Sequence, residues 1–164
     1  MARSGIRGEQ IKDDSITGED VDEATLVLPH FTTHKYTLTS SSDMILIRFN
    51  AAGSNTMGSS QVNNKFVAPT VGKLVMVKFR TTGTPGNTEI ALMKIGDGTL
   101  NFGSPGVPQT STTIDVANAN TTYTALFSTN NTFNGGDVIG IRIDPVNNHG
   151  NVDITCVWEL DFSA

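Results

Sequence analysis

The sequence predicts an all-β fold: a jelly-roll-like β-sandwich preceded by an extended, mostly non-helical N-terminal arm. Three observations predict it. Short apolar or alternating runs recur from residue 34 to residue 162, about 10–15 residues apart, bounded by Gly, Pro, Asn and Asp. The 164 residues are 37% hydrophobic and only 16% charged, so the polar surface comes largely from Thr, Ser, Asn and Gly, a mixture that suits strands and turns. Residues 6–26 carry a different repeat, with an apolar residue at every fifth position.

That repeat places Ile6, Ile11, Ile16, Val21 and Leu26 in IRGEQIKDDSITGEDVDEATL. Five steps on a helix leave successive side chains about 140° apart, so no apolar stripe forms. An odd step on a straight strand sends them to alternate faces. With one apolar group per five residues, the segment cannot offset an ordering cost of roughly 1–2 kcal/mol per residue. It is expected to order only against something else. Two arrangements satisfy the pattern: several copies winding about one axis, or one arm pressing an anchor into a partner's groove at every fifth residue. Either makes the arm, residues 1–28, an assembly device and leaves residues 29–164 as the folded knob.

Within the knob, HKYTLTS (34–40) alternates and DMILIRFNA (43–51) is a strong strand. A polar loop at 53–64 leads to the short strand KFVAP (65–69), stopped by Pro69. KLVMVKFRTTG (73–83) is the clearest strand, and TEIALMKIG (88–96) follows a TPGN turn. A Gly/Pro loop at 97–110 precedes TTIDVA (112–117) and TTYTALFS (121–128). GGDVIGIRIDP (135–145) and NVDITCVWELDF (151–162) complete the pattern. LVMV, VIGI and MILI are apolar on both faces, which predicts that outer sheet faces are covered, by neighbouring subunits in this reading.

The composition also excludes functions. A net charge of −5 argues against a nucleic-acid binder, which needs a basic face. No apolar run reaches the roughly 18 residues of a membrane span, and MARSGIRGEQ has no signal-peptide core, so synthesis in a cytosol is expected. Cys156, the sole cysteine, reads as a small buried thiol. His30 and His34 on a strand would share a side but stand about 13 Å apart, and no cysteine joins them in a zinc set, so no metal site is expected. Asp97, Asp115, Asp137, Asp144 and Asp153 read mostly as turn-capping residues. The glycine-rich GTPGNTE and NFGSPGVP lead into no helix and read as exposed loops. Trp158 and Tyr123 read as core aromatics. No catalytic residue and no cofactor are expected.

The arm IRGEQIKDDSITGEDVDEATL resembles the stem segments of fibre and appendage proteins of tailed bacteriophages. KFVAPTVGKLVMVKF and FNGGDVIGIRIDP resemble the compact trimeric jelly-roll knobs of the same particles, and more distantly the trimeric jelly rolls of the tumour-necrosis-factor and complement-C1q kind. The resemblance implies a virion component made in the host cytoplasm: a homotrimeric capsid decoration or head-fibre protein docked to another virion protein through its arm. Some phage appendages cut sugars, but those usually need long grooved β-helices, so this chain is expected not to be an enzyme. The alternative is a tail-fibre tip that recognises a host surface glycan or protein through loops 53–64, 97–110 or 146–151.

Overall fold

The computed structural model describes residues 27–36, 45–46, 65–96, 102 and 107–162. The five arm anchors, most of DMILIRFNA and the 53–64 loop lie outside the described residues. Ten strands are present: β1 (Val27–Tyr36), β2 (Ile45–Leu46), β3 (Phe66–Val67), β4 (Gly72–Thr81), β5 (Gly86–Ile95), β6 (Pro108–Val116), β7 (Thr122–Leu126), β8 (Thr132–Phe133), β9 (Val138–Pro145) and β10 (Val152–Asp161). The described residues contain no helix, and none of them forms a span that would cross a membrane as a helix.

The strands form two antiparallel sheets. The first runs β1-β10-β4-β7, with β8 also beside β4. The second runs β2-β9-β5-β6, with β3 also beside β9. β7 and β8 pair with successive stretches of β4, and β2 and β3 with successive stretches of β9, so each pair is one broken strand. Eight strands result, and they pair as a nest. The first pairs with the last, the second with the seventh, the third with the sixth, and the fourth with the fifth. This is the winding of a jelly roll.

The core lies between the sheets. β10 alternates strictly, sending Val152, Ile154, Cys156, Trp158 and Leu160 inward. They meet Leu74, Val77 and Phe79 of β4 and Ile90, Leu92, Ile139, Ile141 and Ile143 of the second sheet. Trp158 is the hub, with Phe66 edge-on at 5.7 Å and Phe133 at 5.9 Å. Gly72 exists for space: a Cβ there would stand 2.6 Å from the Glu159 carbonyl oxygen and 2.8 Å from the Phe133 ring. Gly136 exists for conformation: its φ of 90° closes the turn into β9, where Asp137 accepts a 2.8 Å hydrogen bond from the Asn134 amide.

Three expectations change. The first strand begins at Val27, not at 34, and carries Pro29 within it. Proline is tolerated there because β1 is an edge strand, pairing among the described residues only with β10. β6 begins at Pro108, inside the stretch read as loop. Asp115, Asp144 and Asp153 lie within strands rather than at turns.

Candidate functional site

The two sheets treat their outer faces differently. On the second sheet, Ala91, Met93 and Val138 turn away from the main core and are buried beneath Phe102, with Ile95 packed alongside. Phe102 of the chain itself therefore packs over this apolar ground on β5 and β9, where the sequence reading expects a neighbouring subunit. Within the stretch read as an exposed loop, Phe102 is buried, whereas Val107 is exposed.

On the first sheet no such cover exists among the described residues. Direct pairing sets Phe31 beside Val157, Val157 beside Met76 and Met76 beside Leu126. Directly paired residues point to the same side, so these side chains form one apolar row crossing all four strands, about 14 Å long at the usual strand spacing. Its ends are open: Phe31 is 61% exposed and Leu126 63%. A β-bulge makes the row possible. Val157 pairs with Met76 and Trp158 with Leu74, which leaves Val75 unpaired and turns Met76 outward.

Polar rows flank it. On one side lie Pro29, Glu159, Lys73 and Thr132, with Lys73 and Glu159 in an ion pair at 2.6 Å. On the other lie Thr33, Thr155, Lys78 and Thr124, then an Arg80–Asp153 pair at 3.4 Å. Both pairs are well exposed and contribute little stability. Lys78 and Asp161 add one charge of each sign on the same face, so the surroundings of the row are nearly neutral in sum.

Thr32 ties β1 to the core. Thr32 pairs with Cys156 and accepts a 3.0 Å hydrogen bond from the Trp158 indole Nε1. Burial pushes the Cys156 thiol up to about 12, a shift that a hydrogen bond with Thr32 opposes. Such a thiol is inert as a nucleophile, in keeping with its reading as a packing residue. Between β1 and β3 lies an apolar cavity of about 340 Å³ lined by His30, Thr32, Phe66, Val67, Pro69, Trp158 and Leu160.

His30 and His34 pair with Trp158 and Ile154 and so share the inward face of β1. His149 is buried in the β9–β10 turn, its Nδ1 2.6 Å from the Gly150 carbonyl oxygen. The structure therefore does not bring the three histidines together, and no metal-binding group of three or more His, Cys, Asp or Glu occurs among the described residues. The buried Arg142 guanidinium pairs with Glu89 on the outer side of the second sheet. Beside them, burial raises the Asp144 carboxyl above its ordinary value; Arg142 opposes the shift and Glu89 reinforces it.

Strand order and surface together define a jelly-roll domain with an apolar sheet face left open among the described residues. No protein-family model and no curated protein matches the chain. Among solved structures it is similar to a chain in the acid-stable capsid of Helicobacter pylori bacteriophage KHP30, at 14% identity and TM-score 0.33, over 79% of this chain and 93% of that one. It is also similar to a chain of infectious bursal disease virus Gx strain, at 12% identity and TM-score 0.33, over 81% of this chain but only 32% of that one. At these TM-scores the likenesses add nothing to the fold assignment, which rests on strand order.

Proposed function

We propose that this chain is a bacteriophage virion structural protein: a homotrimeric capsid decoration or head-fibre protein that grips the particle through residues 1–28. The observation that carries the proposal is the joining of two unlike parts. A jelly-roll domain with an apolar sheet face that no described residue covers is led by an arm whose last two residues, Val27 and Leu28, open that sheet's edge strand. The arm bears Ile6, Ile11, Ile16, Val21 and Leu26 at fixed intervals among polar and acidic residues. Such a segment needs a partner to bury its anchors.

Docking works through avidity. Each anchor contributes about 1.5–3 kcal/mol if fully buried. Three arms on one trimer act together, because binding of the first raises the effective concentration of the others. The knob adds no chemistry in this reading: the sole thiol is buried and inert, and Glu89, Asp137, Asp153 and Glu159 are engaged in ion pairs.

The test is the full chain with Ile11→Asp and Ile16→Asp together, mixed with particles that lack the protein. Loss of particle binding with an unchanged knob, read by the fluorescence of Trp158, is the expected result. Retained binding would remove the arm from docking. Binding of the unaltered chain to host cells instead of particles would favour the receptor-recognition alternative.

A further inference from the structure

We infer that the row Phe31–Val157–Met76–Leu126 is the surface through which copies of this chain associate, so the knob carries a self-assembly interface distinct from the arm. The inference rests on the proposed homotrimer and names the surface that would build it.

Three observations select a second copy as the occupant. The first is contrast within the molecule: the corresponding apolar ground on the second sheet is capped by Phe102, whereas the row on the first sheet has no cover among the described residues. The second is charge. An acidic or basic partner calls for an opposing net field, yet the face carries Lys73 against Glu159 and Arg80 against Asp153, and Lys78 and Asp161 add one further charge of each sign. A surface whose charges are already matched meets its own copy without like-charge repulsion. The strongly acidic part of the chain is the arm, where Asp13, Asp14, Glu19, Asp20, Asp22 and Glu23 stand with no Lys or Arg between them.

The third is area. Strands of 10 residues in β1, β10 and β4, continued by β7 and β8, give the face about 33 by 19 Å, or about 600 Å². Three such faces gathered about one threefold axis bury about 1,800 Å² in all, the scale of a specific assembly interface. An apolar centre inside a polar rim is also how such interfaces are built.

The experiment uses the full chain. Cys156 is buried, so Leu126→Cys introduces the one accessible thiol among the described residues. Its rate of reaction with a maleimide is measured over a hundredfold range of protein concentration, beside the mass by light scattering. Protection that grows with concentration, in step with mass, is expected. Protection of the monomeric species, at concentrations where the mass is 17.5 kDa, would mean that the chain's own arm covers the row, and full reactivity in an oligomer would place the interface elsewhere. Either overturns the inference while leaving a trimer standing. A monomer at every concentration would overturn the trimer itself. As a second variant, Phe31→Asp with Leu126→Asp is expected to reduce the mass to the 17.5 kDa of one chain with the Trp158 emission unchanged. Both positions are exposed, so a variant that keeps the full oligomeric mass would refute the inference.

Discussion

Replacing Thr32 with Val tests how the edge strand that receives the arm is held to the core. Thr32 Oγ1 accepts the 3.0 Å hydrogen bond from the Trp158 indole, and Trp158 is only 1% exposed. Valine keeps the branched shape and suits a strand, so the packing change is small. What is lost is the acceptor. A sealed indole N–H without a partner costs about 1–3 kcal/mol, more than the net value of a typical hydrogen bond. The Cys156 thiol, which also bonds Thr32, adds little, because thiols are weak donors. The predicted loss is therefore about 1–3 kcal/mol. Urea unfolding followed by fluorescence measures it cleanly, because Trp158 is the only tryptophan in the chain. The midpoint should fall with an unchanged slope. A loss below about 0.5 kcal/mol would mean that the indole finds another partner, and that β1 is not held in the way described.

Two further predictions follow from packing and charge. Gly72→Ala places a Cβ against the Glu159 carbonyl and the Phe133 ring, neither of which has room to yield, and should destabilise by about 1–3 kcal/mol in the same urea assay. Asp144→Asn should raise the melting temperature at neutral pH. Burial lifts the Asp144 carboxyl in the folded state, so the native form binds its proton more tightly than the unfolded chain does, and stability falls as pH rises through that window. The advantage of Asn should therefore shrink on acidification and vanish below about pH 3.9, the ordinary aspartate value, as read by melting curves at several pH values.

Much of the fold was legible because several strands alternate. KLVMVKFRTTG, read as 73–83, forms β4 at Gly72–Thr81, and NVDITCVWELDF, read as 151–162, forms β10 at Val152–Asp161. The first strand was placed late because VLPHFTT contains a proline and no clear alternation. Its strand character comes from ten residues of pairing with β10, a long-range fact. β6 was shortened for a similar reason: Pro108 looks like loop, but proline is tolerated at the first position of a strand.

The docking row was not legible. Its members come from four separate strands, and only the register aligns them. Met76 shows why. Strict alternation through LVMV would put Leu74 and Met76 on one face, whereas the bulge at Val75 buries Leu74 and turns Met76 outward. The expectation of covered outer faces came from the same apolar runs, but sequence could not say that Phe102 covers one sheet. A single aromatic in a Gly/Pro-rich stretch carries no periodic signal. The pentad anchors Ile6, Ile11, Ile16, Val21 and Leu26 were legible as a pattern, and their role remains a proposal.

The most direct test of the account is the solution mass of the full chain by light scattering, beside that of the Ile11→Asp, Ile16→Asp variant. The account predicts three times 17.5 kDa for both, because the knob carries the contact between copies and the arm is kept for the particle. A mass of 17.5 kDa for the unaltered chain would contradict it.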